Sequence, residues 1–215
     1  MVLQDKVFQN MDLSTMVEVL KPKVDGSEYL DDLFSENTLD FFILFSSMSS
    51  VVGNSGQSNY IAANMFMTSL VFQRRKRGLA GSVIDLSSLV GIGYVEHSEH
   101  VDAEYFTRIG YTNISEQDLH QIFAEAVLAG RPGSHESPEI VTGLAPAYTD
   151  ADVKAPYRND LKFCHFLIER LGEKHYVNQT AVIAVKSQLS TAINKAEVYK
   201  ILKGEIFAFP KLFAN

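Results

Sequence analysis

The sequence predicts an α/β protein built on a doubly wound parallel sheet, and three observations predict it. Helical and extended patterns alternate in the order helix, strand, helix, strand, helix, strand as far as about Pro146. Phe41-Phe42-Ile43-Leu44-Phe45 is a continuous apolar run of strand length, the kind a parallel sheet buries on both faces. Helix stop signals stand where such a fold needs them, at Gly78 and Gly130.

The elements follow in order. From about Asp12 to Phe34 a helix is expected, because Met16, Val17, Val19, Leu20, Val24, Tyr29, Leu30 and Leu33 recur near helical spacing. Asp12 or Ser14 can cap it, and Pro22 and Gly26 allow a bend. The strand at Phe41–Phe45 gives way to a serine, glycine and asparagine loop from Ser46 to Asn59. A helix then runs from about Tyr60 to Arg77, and the basic cluster Arg74-Arg75-Lys76-Arg77 complements its carboxyl-terminal dipole. Ser82-Val83-Ile84-Asp85-Leu86 reads as the next strand. Ser115 caps a helix over Glu116 to Ala129, and Glu139 to Gly143 form a last short strand. Residues 1–146 thus form one α/β unit. Residues 147–188 read as a linker, and 189–215 as a helical stretch carrying Ala192, Ile193, Val198, Ile201, Leu202 and Ile206.

Composition narrows the function. The 215 residues are 46% hydrophobic and 21% charged, an ordinary globular balance. A net charge of −7 argues against a nucleic-acid surface, which needs clustered Lys and Arg. No apolar run of about 18 residues is present to span a membrane. The amino terminus lacks a basic and apolar leader pattern, so the cytoplasm is the expected compartment. The single cysteine, Cys164, excludes an internal disulfide framework and is expected to be buried among Phe163, Phe166 and Leu167. His97 and His100, beside Glu96 and Glu99, resemble metal-ligand spacing, but a solvated loop is the better reading.

The chemistry gathers in one place. The strand ending at Phe45 delivers Ser46 and Ser47 to its carboxyl end, where open α/β sheets put their binding crevice. Tyr60 opens the following helix, and Asn64 lies one turn along the same face. Lys23 comes from the preceding helix. A serine hydroxyl can hold a carbonyl oxygen, a tyrosine can protonate it, and a nearby ammonium favours the phenolate. On spacing alone this reading competes with an ordinary loop and a chance Tyr-x-x-x-Asn.

Three segments then match a known family in order and spacing. They are Leu20-Lys21-Pro22-Lys23-Val24-Asp25-Gly26, Leu39 to Ser47, and Gly53 through Tyr60-Ile61-Ala62-Ala63-Asn64. They closely resemble ketoreductase domains of polyketide synthases, within the short-chain dehydrogenase/reductase superfamily. The resemblance implies a Rossmann-like fold with Tyr60 as general acid and Ser47 as carbonyl-binding hydroxyl. Lys23 would tune Tyr60 downward, and Asn64 would orient it and relay protons. Asn64 departs from the superfamily's Tyr-x-x-x-Lys but matches the polyketide synthase branch, where lysine and asparagine exchange places. Leu3-Gln4-Asp5 resembles the Leu-Asp-Asp element of B-type enzymes, which points Asp5 and Gln57 toward substrate and stereochemistry. The chain has no tryptophan, so it lacks the A-type marker. Glu116 to Leu144 resembles the fungal highly reducing enzymes, and the tail resembles the linker before a carrier domain in synthases fused to a peptide synthetase.

The resemblance also implies NADPH as cofactor and a β-ketoacyl substrate on an acyl carrier protein. Other synthase domains would be partners, with no nucleic acid or membrane. Gly91 and Gly93 are expected beside the nicotinamide. No G-x-G-x-x-G occurs, so the chain is expected to lack the sheet's amino-terminal strands and to be inactive alone. A truncated, inactive fragment and a docking or scaffold module remain the alternatives.

Overall fold

The computed structural model describes residues 2–36, 39–91, 111–148 and 156–168, with Asn194 and Glu197. The chain divides into two units, Met1–Ile168 and Glu169–Asn215, and every element below lies in the first. Gly93, the histidines at 97 and 100, the segment 169–188 and the expected tail helix lie outside the described residues, apart from Asn194 and Glu197.

Asp12 caps α1 (Leu13–Leu20) by accepting the Thr15 amide at 2.8 Å. The helix expected as one element then breaks. Pro22 has no N–H for the Glu18 carbonyl and its ring crowds that turn, so the chain turns over residues 21–23 and restarts as α2 (Val24–Leu33).

Next come β1 (Ile43–Ser47), the short α3 (Ser49–Val52) and α4 (Ser58–Lys76), then β2 (Ser82–Leu86), α5 (Glu116–Ala129) and β3 (Glu139–Val141). The three strands are parallel in the order β1-β2-β3, with Ile43 opposite Ser82 and Val83 opposite Glu139. At the start of α5, Ser115 and Asp118 form a reciprocal capping box. Gly78 takes the left-handed backbone (φ 76°) just past α4.

The core lies between the sheet and α4, where Phe42, Leu44 and Val83 meet Met67, Leu70 and Val71. The other face carries Phe41, whose ring meets Phe123 of α5 edge-on at 6.0 Å. Helices therefore cover both faces, as a doubly wound sheet requires. Burial of the Phe41–Phe45 run is one-sided, however. Phe42 and Leu44 are buried, while Phe41 is 47% and Phe45 44% exposed. The reason is geometric: α5 packs chiefly on β2 and β3 and meets Phe41 through Phe123, and β1 has a neighbour on one side only in the described sheet.

The basic cluster does more than face a helix dipole. Arg74 is fully buried, pairs with Asp31 of α2, donates to the carbonyls of Ala80 and Phe34, and stacks over Phe42. Arg77 grips both oxygens of Asp31. Arg75 donates to the carbonyls of Gly130 and Ser134.

The expected linker contains ordered structure. Ala147–Tyr148 and Leu167–Ile168 pair as parallel β4 and β5. Between them lie 3-10 turns at Pro156–Asn159 and Leu161–Phe166. Tyr157 and Phe163 are buried against Met48 and Tyr111. Cys164 is exposed rather than buried, because the tight turn that sends Phe163 inward sends its neighbour outward.

Candidate active site

The site is built at the carboxyl end of β1. Ser47 is its last residue, and the turn into α3 points two donors back at it: the Ser49 amide at 3.2 Å and the Ser49 hydroxyl at 3.0 Å, both to Ser47 Oγ. α4 then carries Tyr60 and Asn64 on one inward face. Both are buried. Asn64 Nδ2 donates to the Tyr60 carbonyl at 3.0 Å, which fixes its side chain along the helix.

The Tyr60 phenol sits among the groups the sequence assigned to it. Burial pushes its pKa up, hydrogen bonds with Asn64 and Ser47 pull it down, and the charge of Asp5 pushes it up again. The net direction is upward, so the phenol is a loaded proton donor. Lys23, expected to tune Tyr60 downward, reaches the ring of Tyr60. The Lys23 ammonium donates to the Phe45 carbonyl at 2.9 Å and stands 5.4 Å from the Tyr60 ring centre, over its face. Burial lowers the Lys23 pKa to about 8. At neutral pH Lys23 is a cation on the ring face.

Asp5 and Gln57 also meet. Gln57 Nε2 donates to Asp5 Oδ2 at 2.9 Å, just ahead of α4. The backbone reinforces that link, for the Lys6 amide donates to the Gly56 carbonyl and Asn59 Nδ2 to the Gln4 carbonyl. Gly56 takes φ +82° where the two segments touch, a conformation that favours glycine.

Sequence reasoning missed Asp85. Its carboxylate accepts from Ser50 Oγ at 3.0 Å, and Ser50 lies 3.3 Å from Ser46 Oγ, so it anchors the turn that presents Ser47. Burial raises the Asp85 pKa. The signal was a lone acid inside Ser82-Val83-Ile84-Asp85-Leu86, a strand buried along almost its whole length.

Nothing among the described residues resembles a strand, glycine turn and helix that would hold a pyrophosphate. The other end of a dinucleotide fits better. The Ser87 and Ser88 hydroxyls, directly after β2, are buried without a partner where open α/β sheets place their ligands. Gly91 follows with φ +79°. Among the described residues there is no cluster of His, Cys, Asp or Glu fit for a metal, and no helix long and apolar enough to cross a membrane.

Comparison with known proteins agrees with this geometry. Residues 1–91 match the KR domain family. Over 97% of its length the chain is 56% identical to the hybrid PKS-NRPS synthetase mpsA of Macrophomina phaseolina. Over 94% it is 50% identical to the equisetin synthetase eqxS of Fusarium heterosporum. It spans 5% of each of those proteins. Among solved structures, the ketoreductase from the first module of phoslactomycin biosynthesis in Streptomyces is 26% identical, with a TM-score of 0.57 over 65% of this chain and 31% of that one. The first ketoreductase of the tylosin synthase superposes with a TM-score of 0.55 at 24% identity, over 84% of this chain and 36% of that one, and shares the fold. Residues 1–91, the stretch that gathers Ser47, Tyr60, Lys23 and Asn64 at the end of β1, thus match the KR domain family, and the chain is similar to polyketide synthase ketoreductases.

Proposed function

We propose that these residues are the catalytic groups of a ketoreductase that reduces a β-ketoacyl thioester, carried on an acyl carrier protein, to the β-hydroxyacyl form. NADPH would supply the hydride. The observation that carries this reading is the hydrogen bonding of Tyr60 with both Ser47 and Asn64, beneath a lysine cation on its ring face.

Ser47 and Tyr60 offer two hydroxyls to one carbonyl oxygen. Ser47 Oγ already accepts from Ser49, which leaves its own proton to be shared between the Tyr60 oxygen and the substrate carbonyl. As negative charge grows on the oxygen, the Tyr60 hydroxyl transfers its proton there and becomes a phenolate. Asn64, Ser47 and the Lys23 cation stabilise that phenolate until it regains a proton from solvent. Asn64 Oδ1, buried without a partner, is an acceptor available to the returning proton's path. Asp5 and Gln57 lie ahead of Tyr60, where a differently oriented acyl chain would meet them. The relatives are large hybrid synthases, so other synthase domains are the expected partners.

The polypeptide that carries this chain should oxidise NADPH when given a short β-ketoacyl thioester. Tyr60→Phe should lose about 10²–10⁴-fold of that rate, the usual worth of a positioned general acid. Full activity in Tyr60→Phe would refute the reading.

A further inference from the structure

We propose that residues 156–168 are a strap that holds the Ser47 loop in its carbonyl-binding geometry, with Tyr157 and Phe163 as positioning residues. The proposal rests on the ketoreductase reading of Ser47.

The element under the strap cannot hold itself. α3 has four residues, Ser49 to Val52. A helix that short does not recover its nucleation cost, so its shape comes from packing. That shape matters, because the Ser49 amide and hydroxyl at its start orient Ser47 Oγ.

The packing comes from the strap. Tyr157 is 1% and Phe163 5% exposed. Their rings meet edge-on at 5.4 Å, and Tyr157 stacks on Tyr111 at 6.2 Å. Together they bury Met48, the residue directly after Ser47, and rest against Val51 and Val52 of α3. A polar tether joins them, since Lys162 Nζ donates to the Val51 carbonyl. Tyr157 Oη donates to the Ala145 carbonyl at 2.6 Å, and pairing of β4 with β5 closes the far end. Phe163 thus acts through Met48, Val51 and Val52 on Ser49, and through Ser49 on the Ser47 hydroxyl. None of the strap residues belongs to the region matched as KR domain, residues 1–91.

The test uses the full polypeptide carrying this chain, with Phe163→Ala, the conservative Phe163→Leu, and Lys162→Met, which removes the tether without opening a cavity. Two quantities are read. The first is hydrogen exchange at the amides of Val51, Val52 and Gly53, which bond to Met48 and Ser49 carbonyls. The second is kcat/KM for a short β-ketoacyl thioester together with the Kd of NADPH. We expect Phe163→Ala to speed exchange at those three amides roughly tenfold or more, with β2 and α4 unchanged. It should lower kcat/KM by about 10- to 100-fold, the scale of a small misplacement of a reacting group, at unchanged Kd for NADPH. Phe163→Leu should restore most of both, and Lys162→Met should show a smaller change in the same direction. Exchange that rises equally in α3, α4 and β2, with kcat/KM unchanged per folded molecule, overturns the proposal. If Phe163→Ala does not fold, unchanged α3 exchange in Lys162→Met overturns it. Retained activity in Tyr60→Phe would instead sink the ketoreductase reading, while the exchange data still report on the strap.

Discussion

The Lys23 ammonium donates to the Phe45 carbonyl and stands over the face of the Tyr60 ring, 5.4 Å from its centre. This ties the carboxyl-terminal part of β1 to the proposed proton donor through one cation. Because burial lowers the Lys23 pKa to about 8, that cation is present at neutral pH and lost just above it. The proposed ketoreduction should therefore fall along a one-proton limb with its midpoint near 8. Stability should move the other way. The folded pKa lies below the ordinary 10.5, so between about 8 and 10.5 the unfolded chain holds the proton and the folded chain does not. The penalty for burying charged Lys23 fades over that window, and this group's contribution to stability rises with pH. Rate profiles and urea unfolding from pH 7.5 to 10.5 test both signs. Lys23→Met should abolish both trends.

Asp31 carries a prediction about the fold. It is the shared anion of Arg74 and Arg77, and Arg74 is 1% exposed. Asp31→Ala would leave a buried guanidinium facing only carbonyls and the Phe42 ring. Removing one partner of a buried ion pair costs about 3–5 kcal/mol, and urea unfolding should show a loss of that order. A loss below about 1 kcal/mol, as for a surface pair, would mean that water reaches Arg74.

That pair also shows where local sequence stops informing. The cap at Ser115, the stop at Gly78 and the strand Ser82–Leu86 were legible because each depends on neighbours a few residues away. Asp31 looks like a surface acid on a helix, and its partner Arg74 stands 43 positions downstream. Phe41 and Phe45 look identical to Phe42 and Leu44 in the run, and only the packing of α4 against Phe42 and Leu44 separates buried from exposed. In the candidate active site, Ser47, Tyr60, Asn64, Asp5 and Gln57 could be named from motif, but not the position of the Lys23 ammonium. The strap was missed because Tyr157, Phe163 and Phe166 fit neither a helical nor an alternating period.

Gly143 and Gly133 form a matched pair. Both take positive φ, 74° and 77°, so alanine at either site incurs the left-handed penalty of about 1–2 kcal/mol. At Gly133 the added methyl meets nothing within 4 Å, but at Gly143 it would lie 2.1 Å from Ser87 Cβ and 2.8 Å from the Thr112 carbonyl. Gly143→Ala should therefore cost about 1–3 kcal/mol more than Gly133→Ala, the usual range for overpacking. It should also displace Ser87, and with it the end of β2 beside the proposed nicotinamide position. Chemical denaturation compares the two. Equal losses would show that Ser87 yields freely.

Asp85 separates a structural role from an electrostatic one. Burial raises its pKa above the ordinary 3.8, and the neighbouring Glu139 is raised by burial and by the Asp85 charge. The folded state therefore holds the extra proton, so stability from this pair is present in acid and lost as pH climbs through the raised values. Asp85→Asn keeps an acceptor for Ser50 and removes the charge. It should flatten the acid side of the stability profile and leave the fold at least as stable at pH 7. Asp85→Leu removes the acceptor as well, leaving Ser50 Oγ with the Ser47 carbonyl and the Ser46 hydroxyl, and puts a larger apolar side chain into a fully buried site, at about 1–3 kcal/mol for overpacking. It should also loosen the turn from Ser47 to Ser50, because the hydrogen bond that ties it to β2 is gone. Urea unfolding across pH 4–8 distinguishes them. If both variants behave alike, the charge of Asp85 contributes nothing and its shape alone holds the turn.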